Sequence, residues 1–152
     1  MNRGLLLVST ICVSAIISSG CTTSPVSVSN AIDVPPERLL AFQDQGEHDI
    51  KITITRDKGI LMSGCYLGVE IEGVLAGRFN PKETADFYIP TNKPRLSAVY
   101  DPLGQGLCSG PKPGTWGYNP VEEHYVLSEI RPNLFRISLG SGSPPRLFPV
   151  KK

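Results

Sequence analysis

Hydrophobic and polar residues alternate with a period of two along several short stretches of the chain. In the clearest stretch, residues 48–56, Ile50, Ile52 and Ile54 fall on one face, and a lysine and two threonines fall on the other. Such alternation is typical of a β-strand with one buried face. The same pattern predicts further strands over 67–71, 74–79, 84–89, 95–100, 125–130 and 134–139.

The spacing of these strands predicts the fold class. Glu72-Gly73 separates two of them, which is the length of loop that a tight hairpin uses. Prolines fall between the strands and not inside them. We therefore expect an all-β domain over residues 36–152, either an antiparallel β-sandwich or a small open barrel. Pro35 and Pro36, followed by an acid and a small apolar cluster, predict one short N-terminal helix or turn.

The N-terminal residues have a different pattern. Residues 5–17 are an uncharged apolar run behind Arg3, shorter than the roughly 20 residues of a membrane-spanning helix. The run predicts an export signal over residues 1–20. Its last part, Ser18-Ser19-Gly20-Cys21, resembles the lipobox of bacterial lipoproteins. The resemblance implies that Cys21 carries a diacylglyceryl thioether and becomes the acylated first residue. The alternative is an ordinary secretory signal cut near Gly20, which leaves Cys21 as a thiol.

The lipoprotein resemblance also implies a location. Two or three acyl chains, palmitate among them, would hold the protein stably on a membrane. Thr22, where an aspartate would favour the inner membrane, points to the outer membrane facing the periplasm. Residues 21–35 then comprise the lipidated cysteine and a flexible tether, because residues 22–30 are polar or small and cannot bury a core. About ten extended residues would reach about 30 Å.

Composition limits the class of partner. The chain has 152 residues, 15 Lys+Arg, 14 Asp+Glu and 40% hydrophobic residues, which is typical of one globular domain. The near balance of charge gives no basic field for nucleic acid, so we expect no nucleic-acid partner. The expected partners are the membrane, through the N-terminal lipid, and a protein of the envelope.

Two cysteines, Cys65 and Cys108, are left once Cys12 is removed with the signal and Cys21 is lipidated. In an oxidising envelope an isolated pair is most simply a disulfide. The open alternatives are a catalytic or redox thiol, although the chain has no Cys-x-x-Cys, and two unpaired buried thiols.

Candidate chemistry is sparse. The histidines are His48 and His124, each expected at the start of a strand, and a triad near either cannot be inferred from spacing alone. Glu122 and Glu123 precede His124, but adjacent strand residues point to opposite faces, so we expect no metal site. We also expect no cofactor and no enzymatic activity. Arg131 and Arg136, near the last strands, are expected to pair with Glu122 or Glu129 across the sheet, as surface ion pairs that contribute little.

The remaining candidate lies in the segment 101–120, which is rich in glycine and proline. Trp116 and Tyr118 there could serve as rigid aromatic anchors for a ligand. They could equally close the open end of a sandwich. Both interpretations stay open.

The stretch from Ile50 to Val99 is similar to small bacterial lipoproteins that carry a PEGA-like β-sandwich of unassigned function. The resemblance implies a β-sandwich and names no ligand. It is carried by the strand before Gly64-Cys65, by Val69-Glu70-Ile71-Glu72-Gly73-Val74, by Ala85-Asp86-Phe87-Tyr88-Ile89-Pro90 and by Leu96-Ser97-Ala98-Val99.

Together these features favour a lipid-anchored, non-enzymatic interaction or accessory module of the cell envelope. One alternative is a periplasmic inhibitor or small-ligand-binding protein that uses the 101–120 loop. The other is an envelope hydrolase, which would need His48 or His124 within hydrogen-bond reach of a Ser or Cys inside a pocket.

Overall fold

A computed structural model describes residues 23–115 and 118–150, and within these ranges the protein is nearly all β. This confirms the predicted fold class. The strands are β1 (Ile32–Asp33), β2 (Ile50–Arg56), β3 (Leu67–Ile71), β4 (Val74–Phe79), β5 (Glu83–Ile89), β6 (Arg95–Tyr100), β7 (Glu123–His124), β8 (Asn133–Ser138) and β9 (Arg146–Pro149). Single turns of 3-10 helix span Val28–Asn30, Pro36–Arg38 and Gly106–Cys108. Among the residues described, no helix has the length and apolar character to cross a bilayer.

The strands form two sheets that pack as a β-sandwich. One sheet has the order β1-β5-β2-β8-β9, and the other has the order β4-β3-β6-β7. Most neighbouring strands are antiparallel, but β1 with β5 and β2 with β8 are parallel. The prediction of an antiparallel sandwich therefore holds for the architecture as a whole, while two of its ladders run in parallel.

The core lies between the sheets and follows the alternation of the sequence. Ile52, Ile54 and Phe87 of the first sheet and Val69 and Leu96 of the second are fully buried. Burying a side chain of this size stabilises the fold by roughly 1.5–3 kcal/mol. The residues that make the strand pattern legible are therefore the ones that hold the two sheets together.

The predicted hairpin and the predicted N-terminal turn are both present. β3 and β4 pair in antiparallel register, with Ile71 opposite Val74. Glu72 and Gly73 both have positive φ, 52° and 77°, as a two-residue hairpin turn of the favoured hand requires. The short N-terminal element is the 3-10 turn Pro36–Arg38, with proline in its first position.

The last part of the chain differs from the prediction. The strand expected over 125–130 is wrong, since pairing with β6 is limited to Glu123–His124. Beyond it, Tyr125 and Leu127 donate backbone hydrogen bonds to the loop carbonyls of Pro94 and Asn92. Because that loop is not a strand, no ladder continues. The sequence pattern also missed β1 and β9.

The predicted flexible tether differs as well, because its described part, residues 23–35, packs on the sandwich. Ser24 and Lys58 exchange backbone hydrogen bonds of 2.8 and 3.0 Å. β1 pairs with β5, and Val34 enters the core with 4% of its surface exposed. Backbone hydrogen bonds, which need no apolar side chains, hold this polar segment in place.

Candidate functional site: the disulfide end of the sandwich

The loops at one end of the sandwich are joined by the disulfide. This disulfide end comprises 23–31, 57–66, 80–82, 101–112 and 139–145, which precede, follow or connect the strands there. Cys65 and Cys108 are bonded, with their Cα atoms 5.2 Å apart, as predicted. The bond ties the loop after β2 to the long loop after β6.

Thr23, the first residue that the structure describes, is hydrogen-bonded at this end of the sandwich. The N–H of Thr23 donates to the carbonyl of Leu139 at 3.2 Å, and the N–H of Leu139 donates to Thr23 Oγ1 at 3.0 Å. Thr23 Oγ1 also donates to the Asp57 carboxylate at 3.1 Å. Cys21, the predicted lipidation site, lies outside the described residues, two positions before this fixed threonine. Two extended residues span at most about 7 Å.

Buried arginines support the disulfide end from beneath. Arg56 is 2% exposed and donates hydrogen bonds of 2.7 Å to the carbonyls of Cys65, Phe79 and Met62. Burial lowers the pKa of Arg56 to about 10, while the charge of nearby Glu83 opposes that shift. One guanidinium therefore holds the backbone of the 57–66 loop and of the end of β4.

A second arginine group lies beside it. Arg38 and Glu83 form a two-pronged ion pair with both contacts at 2.6 Å, and each side chain is 9% exposed. Arg78 pairs with Asp101 in the same way, at 3.0 and 2.6 Å. The two guanidinium carbons each lie 4.7 Å from the centre of the Tyr66 ring. Cation–π contact thus stacks the two ion pairs against one aromatic ring.

The ionisation of Glu83 reflects this environment. Burial alone would raise the pKa of its carboxyl, but hydrogen bonds from Arg38 and from the Asn80 N–H outweigh burial and hold it below its ordinary value. The pKa of Arg38 is raised, mainly by its hydrogen bonds to Glu83. Each member of the pair therefore stabilises the charged form of the other.

Arg136 completes the set and corrects an expectation. Its partner is not Glu122 or Glu129 but Asp57, which is 1% exposed and accepts hydrogen bonds from both Nε and Nη2 of Arg136. The same Asp57 accepts the Thr23 hydroxyl. The first described residues are therefore hydrogen-bonded to the buried carboxylate of this ion pair.

The outer surface of the disulfide end carries exposed apolar side chains at the tips of its loops, Ile60, Leu103 and Leu107. Ile60 is 92% exposed and Leu107, next to Cys108, is 99% exposed, while Leu103 is 56% exposed. The Ile60 carbonyl accepts the Ser63 N–H within the turn that leads to Cys65. These tips sit on cross-linked loops.

The charges at this end are of one sign on its surface. In the five segments that define it, both carboxylates, Asp57 and Asp101, are buried and paired with arginine. The exposed charged side chains of these segments are Lys58, Lys82 and Lys112. Although the overall charge of the protein is nearly balanced, the surface of the disulfide end near Thr23 is cationic.

The aromatic candidate lies next to this face. The rings of Tyr118 and Tyr100 are 5.2 Å apart, and the Tyr118 hydroxyl accepts the Tyr100 N–H at 3.4 Å. Both border a groove of about 340 Å³ with Glu70, Lys112 and several prolines. Burial raises the pKa of Tyr118 and of Glu70. Trp116, the other predicted anchor, lies outside the described residues.

The opposite end of the sandwich, here the acidic end, comprises 43–49, 72–73, 90–94 and 125–132. Its acids are Asp44, Glu47, Asp49, Glu72 and Glu129, against the bases Lys93 and Arg131. A groove of about 660 Å³ opens there and is bordered by the exposed His48 and the half-buried Ser128. This groove is therefore larger than the groove of about 340 Å³ beside Tyr118.

The two histidines are the residues on which a hydrolase site would depend. Among the side-chain hydrogen bonds of residues 23–115 and 118–150, none joins His48 or His124 to a serine or cysteine. His124 is an exposed residue of β7, opposite Arg95. The same residues contain no group of three or more His, Cys, Asp or Glu side chains arranged to hold a metal ion.

Sequence reasoning missed the arginine groups and the exposed tips. For Arg56 a signal existed, because the period of two that places Ile50, Ile52 and Ile54 inside also places Arg56 on the inner face. No periodicity marks Ile60 or Leu107, which lie in loops.

Comparisons of this chain with models of protein families, with curated proteins and with solved structures found no match.

Proposed function

We propose that this chain is a lipid-anchored, non-enzymatic interaction module of the bacterial cell envelope, attached to the outer membrane through Cys21. The lipobox-like sequence before Cys21 supports the anchor. The observation that carries the proposal is the fixed position of Thr23, since a lipid two residues upstream would hold the whole sandwich at the membrane.

The acidic end would then face away from the membrane, toward the periplasm. Its groove, bordered by His48, Lys51, Asp49 and Arg131, offers charged side chains of both signs to a protein partner. An interface of mixed charge favours specificity and a fast encounter. We therefore place the partner-binding surface there.

The anchor is tested on the full chain expressed in a bacterial host. Mass spectrometry of the first mature peptide should show a diacylglyceryl group on Cys21, and the protein should enter the detergent phase on phase separation. Cys21→Ala should lack both properties, with Cys12→Ala as the matched control, because Cys12 lies inside the predicted signal. An unmodified Cys21 in the wild type would refute the proposal.

The partner surface is tested by a photo-crosslinking amino acid at Ile130, which is 93% exposed at the acidic end. Irradiation of intact cells should give a discrete protein adduct that charge reversal of Glu129 and Arg131 removes. The same probe at Ile32, a 63% exposed residue of the edge strand β1 outside the acidic end, provides a control for random contacts. Equal adducts at both positions would argue against a specific surface.

A second candidate, a small-ligand-binding protein, is favoured by the groove beside Tyr100 and Tyr118. Tyr118→Ala distinguishes ligand binding from packing. If the groove binds a ligand, the variant loses binding and keeps its melting temperature. If Tyr118 only packs on Tyr100, the variant loses stability, by about 1 kcal/mol for the aromatic contact.

A further inference from the structure

We infer that the disulfide end of the sandwich is a bilayer-contacting surface, with Ile60 and Leu107 entering the headgroup region and Lys58 and Lys82 facing anionic lipid. This inference rests on the proposed lipid anchor at Cys21 and adds to it an orientation and a second site of membrane contact.

The first argument is the length of chain between lipid and domain. Thr23 is held by Leu139 and Asp57, so only Thr22 lies between the fixed chain and Cys21. The two residue steps from Cys21 to Thr23 span at most about 7 Å. The headgroup layer on each side of a bilayer is of similar thickness, about 5–8 Å. A domain attached this closely rests on the membrane surface, and the end beside Thr23 is the end that meets it.

The second argument is the chemistry of that end. Lys58 pairs with Ser24 through the backbone, and Gly59 lies against Thr23, so the loop that carries Ile60 begins beside the anchor. Leu107 lies on the other disulfide-linked loop. A single exposed apolar residue is normal on a protein surface. Two almost fully exposed ones on cross-linked loops, next to an attachment point, suit partial insertion among lipid headgroups.

The third argument is charge. Lys58 and Lys82 both border the small groove beside Pro25 and Asn30, near the entry of the chain. Both are exposed, while the carboxylates of the same end are buried in ion pairs. An anionic membrane surface attracts each nearby lysine and the attraction falls off within a Debye length.

The acidic end provides the contrast that makes the assignment specific. Ile130 there is 93% exposed, as exposed as Ile60 at 92%. Its chain neighbours are Glu129 and Arg131. The groove beside it is bordered by Glu47 and Asp49 as well as Lys51, so charges of both signs surround Ile130. Apolar exposure alone therefore does not select the surface. The anchor position and the sign of the charge do.

The experiment uses the full chain, expressed with its signal, purified in detergent and reconstituted into vesicles of phosphatidylcholine and phosphatidylglycerol with bromine on the upper acyl chain. Ile60→Trp, Leu107→Trp and Ile130→Trp each add one tryptophan at a solvent-exposed position. The signal of the native Trp116 is subtracted with the unsubstituted protein. Mass spectrometry of each preparation records the acyl group on Cys21 independently.

We expect bromine to quench most of the added fluorescence in Ile60→Trp and Leu107→Trp and little of it in Ile130→Trp. Acylated protein in which the three positions are quenched equally, or in which Ile130→Trp is quenched most, would overturn this inference and leave the anchor intact. Acylated protein in which Ile60→Trp and Leu107→Trp both remain unquenched would also overturn it, and is expected if these residues dock on a protein and not on lipid. Protein without an acyl group would overturn the proposed anchor and this inference with it.

Discussion

The two ends of the sandwich handle charge in opposite ways. At the disulfide end, Arg38–Glu83 is buried on both sides, and Asp57 and Asp101 are buried under their arginines. At the acidic end, Arg95 pairs with Glu72 and Glu122, and all three side chains are between 39% and 52% exposed. Exposed pairs of this kind contribute little, typically 0–1 kcal/mol.

This difference in burial makes the disulfide end a rigid surface and leaves the charged groups of the acidic end accessible to a partner. At the disulfide end, buried arginines donate hydrogen bonds to backbone carbonyls of the loops and so hold the loops in place, as Arg56 does at Cys65 and Met62. At the acidic end the members of the Arg95 ion pairs stay about half exposed to solvent. A rigid, cationic end suits stable contact with a membrane, and a solvent-exposed end of mixed charge suits transient binding of a partner protein.

The largest expected effect is loss of the disulfide. Cys65→Ala combined with Cys108→Ala should lower the free energy of unfolding by about 4 kcal/mol, because a crosslink between residues 43 positions apart restricts the unfolded chain. Urea denaturation measures the loss. Amide exchange should accelerate in residues 57–66 and 101–110, and the acidic end should keep its protection.

The control for this prediction is the wild-type protein under reducing conditions, which should match the double variant. A loss below about 1 kcal/mol would mean that the buried arginines alone hold the two loops. In that case the disulfide would not be the feature that distinguishes the ends.

The next effect compares one ion pair from each end. Glu83→Gln removes the charge opposite buried Arg38 and should cost about 3 kcal/mol, since it leaves an uncompensated buried cation. Glu72→Gln is the matched control at the acidic end and should cost less than about 1 kcal/mol. Thermal or urea denaturation of both variants measures the difference. Equal costs would contradict the contrast in burial.

The pH dependence follows from the same carboxylate. The pKa of Glu83 is lower in the folded protein than its ordinary value, so its contribution to stability is fully present above the unfolded pKa of about 4.3. That contribution is lost as the pH falls through the lower folded pKa. Between about pH 5 and pH 3, stability should therefore fall more steeply in the wild type than in Glu83→Gln. Parallel curves would show that Glu83 is not the responsible group.

The sequence predicts the strands whose alternation is regular and whose inner face is apolar. Ile50, Ile52 and Ile54 gave β2, and the hairpin turn at Glu72-Gly73 followed from its length. Prediction failed where hydrogen bonding rather than apolar burial sets the structure. Residues 23–35 have the composition of a linker, yet they are fixed by backbone pairs and by Asp57.

The candidate surface could be predicted only in part. The cysteine pair followed from counting, because two cysteines remain outside the N-terminal region. The cationic character of the disulfide end could not be predicted, because Lys58 and Lys82 are separated by 24 positions and Asp57 stands next to Lys58 in the sequence. Only the fold shows that Asp57 turns inward to Arg136 while Lys58 stays outside.

The smallest expected effect on stability tests the sign of charge at the disulfide end. Lys58→Glu combined with Lys82→Glu replaces exposed side chains, so the free energy of unfolding should change by no more than about 1 kcal/mol. In vesicles that contain phosphatidylglycerol, however, the double reversal should reduce the quenching of the tryptophan in Ile60→Trp, because an anionic surface then repels the loop. Lys93→Glu, an exposed reversal at the acidic end, should leave that quenching unchanged. In uncharged phosphatidylcholine vesicles the variants should behave alike. A reduction of the same size in uncharged vesicles would mean that the substitutions disturb the loop itself, and that apolar contact rather than charge sets the orientation of the sandwich.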